Sequence, residues 1–212
     1  MKLYDYFRSS AAYRIRIALN LKGIDYRQIP VDLLRGDDRE AAYRAVNPQG
    51  LVPALDDGDT LITQSVAICE YLEETHPEPP LLPGDSRDRA RIRAIALMVA
   101  CDIHPLNNLR VLARLTGALG VDEERKLAWY RHWIEEGFRA IETLLQRPER
   151  NGPFCHGDRP TMADLFLIPQ LYNARRFDVD LAPYPDIRAV EAACSEIEAF
   201  ERARPEHQPD AR

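Results

Sequence analysis

Residues 77–87 separate two parts of the chain that have different hydrophobic patterns. This segment contains four prolines and one glycine. Because proline fixes its own φ and lacks an N–H, such a segment favours a linker over a helix or a strand. Before it, short patterns of period two alternate with helical patterns, whereas every periodic segment after it is helical. We therefore predict two domains, residues 1–76 and 88–212, joined by the linker 77–87.

The first domain is predicted to have the element order βαβαββα. The predicted elements are a strand at 3–7, a helix from 11 to about 22, a strand at 26–33, a short polar helix at 37–46, a hairpin of strands 51–55 and 60–62, and a helix at 65–75. This order within one small domain is that of an α/β, thioredoxin-like fold. Because proline is poorly accommodated at the head of a strand, we predict that the Val52–Pro53 bond is cis.

The second domain is predicted to be entirely α-helical. Helical periodicity covers residues 88–119, with a kink at Pro105, residues 122–146, a segment from Thr161, and residues 186–203. The helix from Thr161 is apolar almost all round, which predicts a central, buried position. Asp164 lies three residues after Thr161 and completes a capping box, a structural role. The polar tail after Pro205 is predicted to fray.

Composition excludes several classes of protein. A net charge of -6 disfavours nucleic acid as a partner, and no apolar run is long enough to span a membrane. Met1 and Lys2 lead directly into a strand without a signal peptide, which predicts a cytoplasmic protein. The four cysteines are scattered, without CxxC or metal-ligand spacing, so we expect reduced core residues, no disulfide framework and no metal site.

Ser9 and Ser10 lie where the first strand gives way to the first helix. A helix start presents unpaired N–H groups and the positive end of the helix dipole, which favour an anion. A hydroxyl at this point can also donate a hydrogen bond to a thiolate and lower the pKa of a bound thiol. The alternative interpretation is that one of the serines only caps the helix.

Several motifs together resemble the cytosolic glutathione transferases, and within them the zeta class. The motifs of the first domain are Arg8-Ser9-Ser10 followed by Tyr13–Leu19, Asn47-Pro48 with Leu51-Val52-Pro53, and Gln64-Ser65. Those of the second domain are Cys101–Asn108, Thr161–Asp164 and Arg176–Leu181. The resemblance covers nearly the whole chain, with one departure: Ala11 stands where the class usually has a cysteine.

The resemblance implies the cytosolic glutathione transferase fold and a site for glutathione as cofactor. It implies that the sulfur lies beside Ser9 and Ser10, and that the main chain of Val52 pairs with the extended tripeptide as an added strand. Gln64 and Ser65 would bind the γ-glutamyl carboxylate. The alternative for Ser65 is a helix N-cap alone.

The resemblance also implies an activity, the glutathione-dependent cis–trans isomerisation of maleylacetoacetate by reversible thiolate addition. We expect Arg8 and Arg176 to bind the carboxylates of this small dicarboxylic substrate, because guanidinium offers a planar fork of donors. Arg175 is expected to point elsewhere.

Three residues of the second domain are further candidates for binding glutathione or substrate. His104 and Asn108 have the i, i+4 spacing of one helix face, and Arg110 is a weaker candidate because it lies off that face. A structural role for His104 is the alternative.

Three other functions stay open at this point. The first is the same reaction on maleylpyruvate, and the second is general glutathione conjugation, which would need an apolar pocket for the second substrate where the arginines predict an anionic one. The third is a non-catalytic interaction module, since fold does not dictate function. A homodimer is expected from the resemblance alone.

Overall fold

The computed structural model describes residues 1–212 and divides them into two compact units. Unit 1 comprises Met1–Leu81 and Ser195–Arg212, and unit 2 comprises Leu82–Cys194. These units differ from the predicted domains in the placement of residues 195–212, which the pattern assigned to the helical domain. Long-range hydrogen bonds hold this segment in unit 1, among them one of 2.9 Å from Arg16 Nε to the carbonyl of Ala203.

The chain forms four strands and nine α-helices. The strands are β1 (Lys2–Asp5), β2 (Arg27–Pro30), β3 (Ala54–Asp56) and β4 (Leu61–Thr63). The helices are α1 (Ser10–Leu21), α2 (Ala41–Val46), α3 (Ser65–Thr75), α4 (Ser86–Leu97), α5 (Leu109–Gly117), α6 (Glu123–Leu145), α7 (Met162–Arg176), α8 (Pro185–Ser195) and α9 (Glu198–Arg202). None of these helices is both long enough and apolar enough to cross a membrane.

Unit 1 has one mixed sheet with the strand order β2-β1-β3-β4. β1 pairs with β2 in parallel, and β3 pairs with β1 and β4 antiparallel. The predicted order βαβαββα and the α/β class are confirmed, although the strands are shorter than their sequence patterns. The Val52–Pro53 bond is cis, as predicted, and Glu78–Pro79 is a second cis bond.

Helix α1 lies in the core of unit 1 and is buried from Ser10 to Leu19. This burial includes Arg16, whose Nη1 lies 2.9 Å from each carboxylate oxygen of Asp5. A buried ion pair adds little stability over an apolar pair of the same volume. Removing one partner, however, leaves an unpaired buried charge and costs about 3–5 kcal/mol of stability. Removing either Asp5 or Arg16 alone is therefore expected to destabilise the fold.

The tail after Pro205 is ordered, so the prediction that it frays is wrong. Gln208 is buried and accepts a hydrogen bond of 2.7 Å from Gln28 Nε2. Asp210 Oδ2 accepts one of 3.1 Å from the main-chain N–H of Phe7. Two polar side chains of the tail are therefore used as partners of Gln28 in β2 and of the main chain at Phe7.

Unit 2 is helical, but the predicted helix 88–119 is interrupted. A π-helical segment, Met98–Ile103, follows α4, and a 3-10 turn, His104–Asn107, separates it from α5. The interruption coincides with Pro105, which cannot donate a main-chain hydrogen bond. The predicted helix 186–203 is likewise two helices, α8 and α9.

Helix α7 is buried along most of its length, as predicted. The Thr161–Asp164 capping box is present at its start. The Asp164 carboxylate accepts hydrogen bonds of 2.8 Å from the main-chain N–H groups of Cys155 and Thr161. Burial raises the pKa of the Asp164 carboxyl above its usual value, against the effect of these bonds.

All four cysteines are free thiols, and only Cys101 is exposed. No group of three or more His, Cys, Asp or Glu side chains in the chain is placed to hold a metal ion.

Candidate active site

The sheet register brings three predicted site segments of unit 1 to one end of the sheet. Tyr4 of β1 pairs with Ala54 of β3, which pairs in turn with Thr63 of β4. The carboxyl ends of β1 and β4 and the amino end of β3 therefore lie together. The segments beyond these ends are Arg8-Ser9-Ser10, Val52 and Gln64-Ser65.

Ser9 and Ser10 begin helix α1. Ser9 is the N-cap, and its Oγ accepts a hydrogen bond of 3.2 Å from the N–H of Ala12. Ser9 therefore caps the helix, but the cap uses its oxygen as an acceptor and leaves the hydroxyl proton available as a donor, so capping does not exclude a role in binding a thiolate. Ser10 is the first residue of the helix and is buried.

The start of helix α3 is held from helix α1. Arg14 is buried, and its Nη1 donates a hydrogen bond of 3.0 Å to Ser65 Oγ. The N-cap position belongs to Gln64, which forms no side-chain cap bond, so the interpretation of Ser65 as only an N-cap is wrong. Ser65 instead presents its hydroxyl and N–H beside a buried guanidinium.

Gln64 has a main-chain conformation that is unusual for a residue with a side chain. Its φ is 73° and its ψ is 119°, and such positive φ values are sterically costly outside glycine. Its Nε2 donates a hydrogen bond of 2.7 Å to Gln49 Oε1. Strained residues of this kind concentrate at ligand-binding sites, which makes Gln64 a candidate on structural grounds as well.

The chain before Val52 is fixed by two donors. The carbonyl of Leu51 accepts hydrogen bonds of 2.6 Å from the hydroxyl of Tyr43 and from Asn47 Nδ2. Burial raises the pKa of Tyr43, so its hydroxyl stays protonated and remains a donor. The bond from Asn47 gives this residue of the motif a structural role, because it orients the chain entering Val52.

The electrostatics at this end of unit 1 suit an anion. Neither α1 nor α3 has an acidic residue in its first turn, so neither helix neutralises its own positive end. Serine hydroxyls and main-chain N–H groups converge there as donors. This donor set fits a ligand that carries a carboxylate and a thiolate, as glutathione does.

Arg8 precedes the two serines and pairs with no carboxylate. Its Nη2 donates a hydrogen bond of 3.1 Å to the hydroxyl of Tyr6. Its Cζ lies 4.9 Å from the centre of the Phe7 ring. This aromatic support leaves the charge of the guanidinium uncompensated.

In unit 2, the neighbours Arg175 and Arg176 at the end of α7 differ in whether the guanidinium is paired with a carboxylate. Arg175 forms two hydrogen bonds with Glu191, of 2.8 Å from Nε and 2.5 Å from Nη2. Arg176 is exposed, lies with its Cζ 5.1 Å from the centre of the Phe177 ring, and forms no ion pair. Arg176 is therefore available for an anionic ligand, whereas Arg175 is occupied.

His104 and Asn108 do not share a helix face, so that prediction is wrong. His104 begins the 3-10 turn, and Asn108 has extended dihedral angles, φ -67° and ψ 144°, as the N-cap of α5. Its side chain accepts a hydrogen bond of 3.1 Å from the N–H of Arg110. The i, i+4 argument fails because the helix is interrupted at Pro105 between them.

Reasoning from single motifs missed the roles of Arg14, Tyr43 and Asn47. A signal for Arg14 is present in the sequence, since it lies within the apolar helix pattern of α1, where a charge must be paired. The bonds of Tyr43 and Asn47 to Leu51 have no comparable signal, because they depend on how the loop after α2 folds back.

Comparisons with known proteins agree with this geometry. The family model of the glutathione S-transferase N-terminal domain matches residues 3–80, and that of the C-terminal domain matches residues 128–196. Maleylacetoacetate isomerase from Rhizobium meliloti (strain 1021) is 53% identical over 204 residues, which cover 96% of this chain and 95% of that protein.

Two solved structures are similar over their full length. The holo structure of a bacterial maleylpyruvate isomerase of the zeta class has a TM-score of 0.98 at 51% identity, covering 100% of both chains. A maleylacetoacetate isomerase from Methylobacterium extorquens AM1, solved with bound malonate and glutathione, has a TM-score of 0.96 at 44% identity and the same coverage. The chain belongs to the glutathione S-transferase family, and within it to the zeta class.

Proposed function

We propose that the protein is a glutathione-dependent cis–trans isomerase of small dicarboxylic acids with a conjugated cis double bond, of which maleylacetoacetate is the leading candidate. The observation that carries this proposal is the convergence of Ser9, Ser10, Val52 and Ser65 at one end of the unit 1 sheet. The full-length similarity to maleylacetoacetate isomerases supports the same substrate class.

Glutathione would be held by three segments of unit 1. Ser65 and Gln64, at the start of α3, would bind the γ-glutamyl carboxylate, with Arg14 adding positive charge behind Ser65. Val52 would pair with the peptide main chain. When bound, glutathione supplies a thiolate that adds reversibly to the substrate double bond, permits rotation and is returned unchanged.

Ser9 and Ser10 would hold this sulfur in its ionised form. A hydroxyl donor and the positive end of α1 both favour the thiolate over the thiol, which lowers the thiol pKa toward neutrality. No cysteine of the chain lies in the Arg8–Arg14 segment. The reacting sulfur would therefore come from glutathione.

Arg8 and Arg176 would bind the carboxylates of the substrate. Both guanidinium groups lack a carboxylate partner, although the chain as a whole is acidic. The charge of Arg8, which adjoins the two serines, would also stabilise the enolate character that develops on addition to the double bond. His104, Asn108 and Arg110 remain secondary candidates for binding glutathione or substrate.

We also infer a cytoplasmic homodimer. The four free thiols suit a reducing compartment. The resemblance to the zeta class supports the dimer, and light scattering of the purified protein tests it.

Turnover of three substrates, with and without glutathione, tests the proposed activity. We expect conversion of maleylacetoacetate to the trans isomer only when glutathione is present, with no net consumption of glutathione. Equal rates after complete removal of glutathione would refute the proposal.

The same assay separates the alternatives. Maleylpyruvate is a serious second candidate, because a maleylpyruvate isomerase has the higher TM-score of the two solved structures compared. A higher kcat/KM on maleylpyruvate would assign the protein to that reaction. Rapid conjugation of a chlorinated aromatic with neither isomerisation would indicate a general transferase.

A further inference from the structure

Phe7 lies between strand β1 and the two serines, and side chains from helix α1 and from the C-terminal tail bind its two main-chain polar groups. The N–H of Phe7 donates a hydrogen bond of 3.1 Å to Asp210 Oδ2. Its carbonyl accepts one of 2.9 Å from Arg16 Nη2. Both peptide groups that flank the Cα atom of Phe7 are therefore held by hydrogen bonds.

The same C-terminal segment also holds Arg16. Arg16 Nε donates a hydrogen bond of 2.9 Å to the carbonyl of Ala203, and Nη1 binds the carboxylate of Asp5. The Arg16 side chain is fully buried, so these bonds do not compete with water. The segment thus acts on Phe7 in two ways. Asp210 binds Phe7 directly, and Ala203 binds Arg16, which in turn binds Phe7.

A movement of Phe7 would be passed on to Ser9. The N–H of Ser9 donates a hydrogen bond of 2.8 Å to the carbonyl of Tyr6, which closes the turn around Phe7. Phe7 itself is buried beside Tyr6, Val31, Tyr43 and Val52. The apolar cluster fixes the ring, but only directional hydrogen bonds fix the rotation of the peptide planes that lead to Ser9.

We propose that the segment from Ala203 to Asp210 positions the turn Arg8-Ser9-Ser10, and that Asp210 is its positioning residue. The inference rests on the proposed function, because the turn is the part of the site assigned to the glutathione sulfur. A hydroxyl placed correctly keeps the bound thiol ionised, and an error of about 1 Å in such a site can cost a hundredfold in rate.

Asp210 could also act through its charge, and the two roles predict opposite shifts. A carboxylate near the sulfur disfavours the thiolate, so removing the charge would lower the pKa of the bound thiol. Losing the hydrogen bond to Phe7 would loosen the serines and raise that pKa. Asp210→Asn separates the roles, since its amide oxygen still accepts from the Phe7 N–H while the charge is gone.

The experiment compares Asp210→Ala and Asp210→Asn with the wild-type protein. Arg212→Ala is the matched control, because Arg212 also binds the tail to an earlier part of unit 1, through Asp32, but is not a partner of the Phe7 main chain. The readouts are the pH midpoint of thiolate ultraviolet absorbance of bound glutathione, the dissociation constant of glutathione, kcat/KM and the thermal unfolding temperature.

We expect Asp210→Ala to raise the midpoint by several tenths of a pH unit and to lower kcat/KM about tenfold, which corresponds to about 1.4 kcal/mol. Asp210→Asn should stay within about twofold of the wild type, and Arg212→Ala should match the wild type. The unfolding temperatures of the three variants should lie close together, because Asp210 is only partly buried.

Two results would overturn the inference. One is an Asp210→Ala variant that cannot be distinguished from Arg212→Ala. The other is a lowered midpoint in both Asp210 variants, which would assign the effect to charge. If the wild-type protein gave no thiolate signal with glutathione, the proposed function itself would fail, which is a distinct outcome.

Discussion

Substitution of Arg176 tests the assignment of the substrate carboxylate site. We expect Arg176→Gln to raise the KM for the dicarboxylic substrate about tenfold and to leave kcat nearly unchanged. A carboxylate that is bound alike in the ground state and the transition state contributes to KM and not to kcat. Glutamine keeps the aliphatic stem and a polar amide, but it is shorter than arginine and carries no charge.

The expected magnitude follows from the surroundings of the guanidinium. Hydrogen bonds to a charged group contribute about 1.5–3 kcal/mol. Arg176 is exposed, and water competes for it, so the lower value applies. About 1.5 kcal/mol corresponds to roughly a tenfold change in an equilibrium constant.

Arg175→Gln is the matched control for this substitution. Arg175 is the adjacent residue on α7 and carries the same charge, but its guanidinium is already bound to Glu191 at 2.5 Å and 2.8 Å. Initial rates measured over a range of substrate concentrations, at low and at high salt, give KM for both variants. Screening by salt should raise KM in the wild type more than in Arg176→Gln.

The reasoning would be refuted if KM in Arg176→Gln stayed within twofold of the wild type. It would also be refuted if Arg175→Gln raised KM equally, because the effect would then be one of general charge rather than of a specific contact.

Three further predictions concern stability and thiol chemistry. Asp164→Ala should lower the free energy of unfolding in urea by about 3 kcal/mol, because two buried main-chain N–H groups lose their acceptor, while the folded variant keeps its affinity for glutathione. In the native protein Ellman's reagent should titrate only Cys101 at pH 8, and all four thiols in denaturant; burial raises the pKa of Cys69 to about 12. Burial also raises the pKa of Tyr26 from 10.0 to about 12, so this residue's contribution to stability is present below pH 10 and is lost as the pH rises toward 12. Between pH 10 and pH 12 the thermal unfolding temperature should fall less in Tyr26→Phe than in the wild type.

The fold could be predicted from the sequence where local patterns decide it. The order βαβαββα follows from changes of hydrophobic period and from turn residues within each short segment. The buried helix α7 follows from an apolar pattern that leaves it no solvent-facing side, and its capping box from the spacing of Thr161 and Asp164. These features need no knowledge of distant contacts.

The region around Pro105 shows where a local pattern misleads. Apolar residues continue at helical spacing through 88–119, so the sequence resembles one kinked helix. The π-helical segment and the 3-10 turn change the angle per residue on either side of the proline. His104 and Asn108 therefore lose the common face that an ideal helix would give them, although their spacing is unchanged.

The C-terminal tail shows a second limit of local patterns, because its order depends on partners elsewhere in the chain. A polar tail that frays and a polar tail that binds the rest of its domain can have the same composition, and they differ only in whether partners are present. Gln208 binds Gln28, which lies 180 positions earlier in the chain, and Asp210 binds Phe7, which lies 203 positions earlier. No pattern within the tail records them.

Helix α1 shows why the core and the candidate site of unit 1 cannot be treated separately. Arg14 and Arg16 are two residues apart, so their side chains leave the helix on opposite sides. One guanidinium holds Ser65 at the start of α3, and the other holds Asp5, Phe7 and the tail. Apolar packing is not directional and could not fix these segments in register, whereas short hydrogen bonds from two buried cations can. Burying Arg14 and Arg16 in the apolar helix costs desolvation energy, but their hydrogen bonds fix the segments that carry the serines of the candidate site.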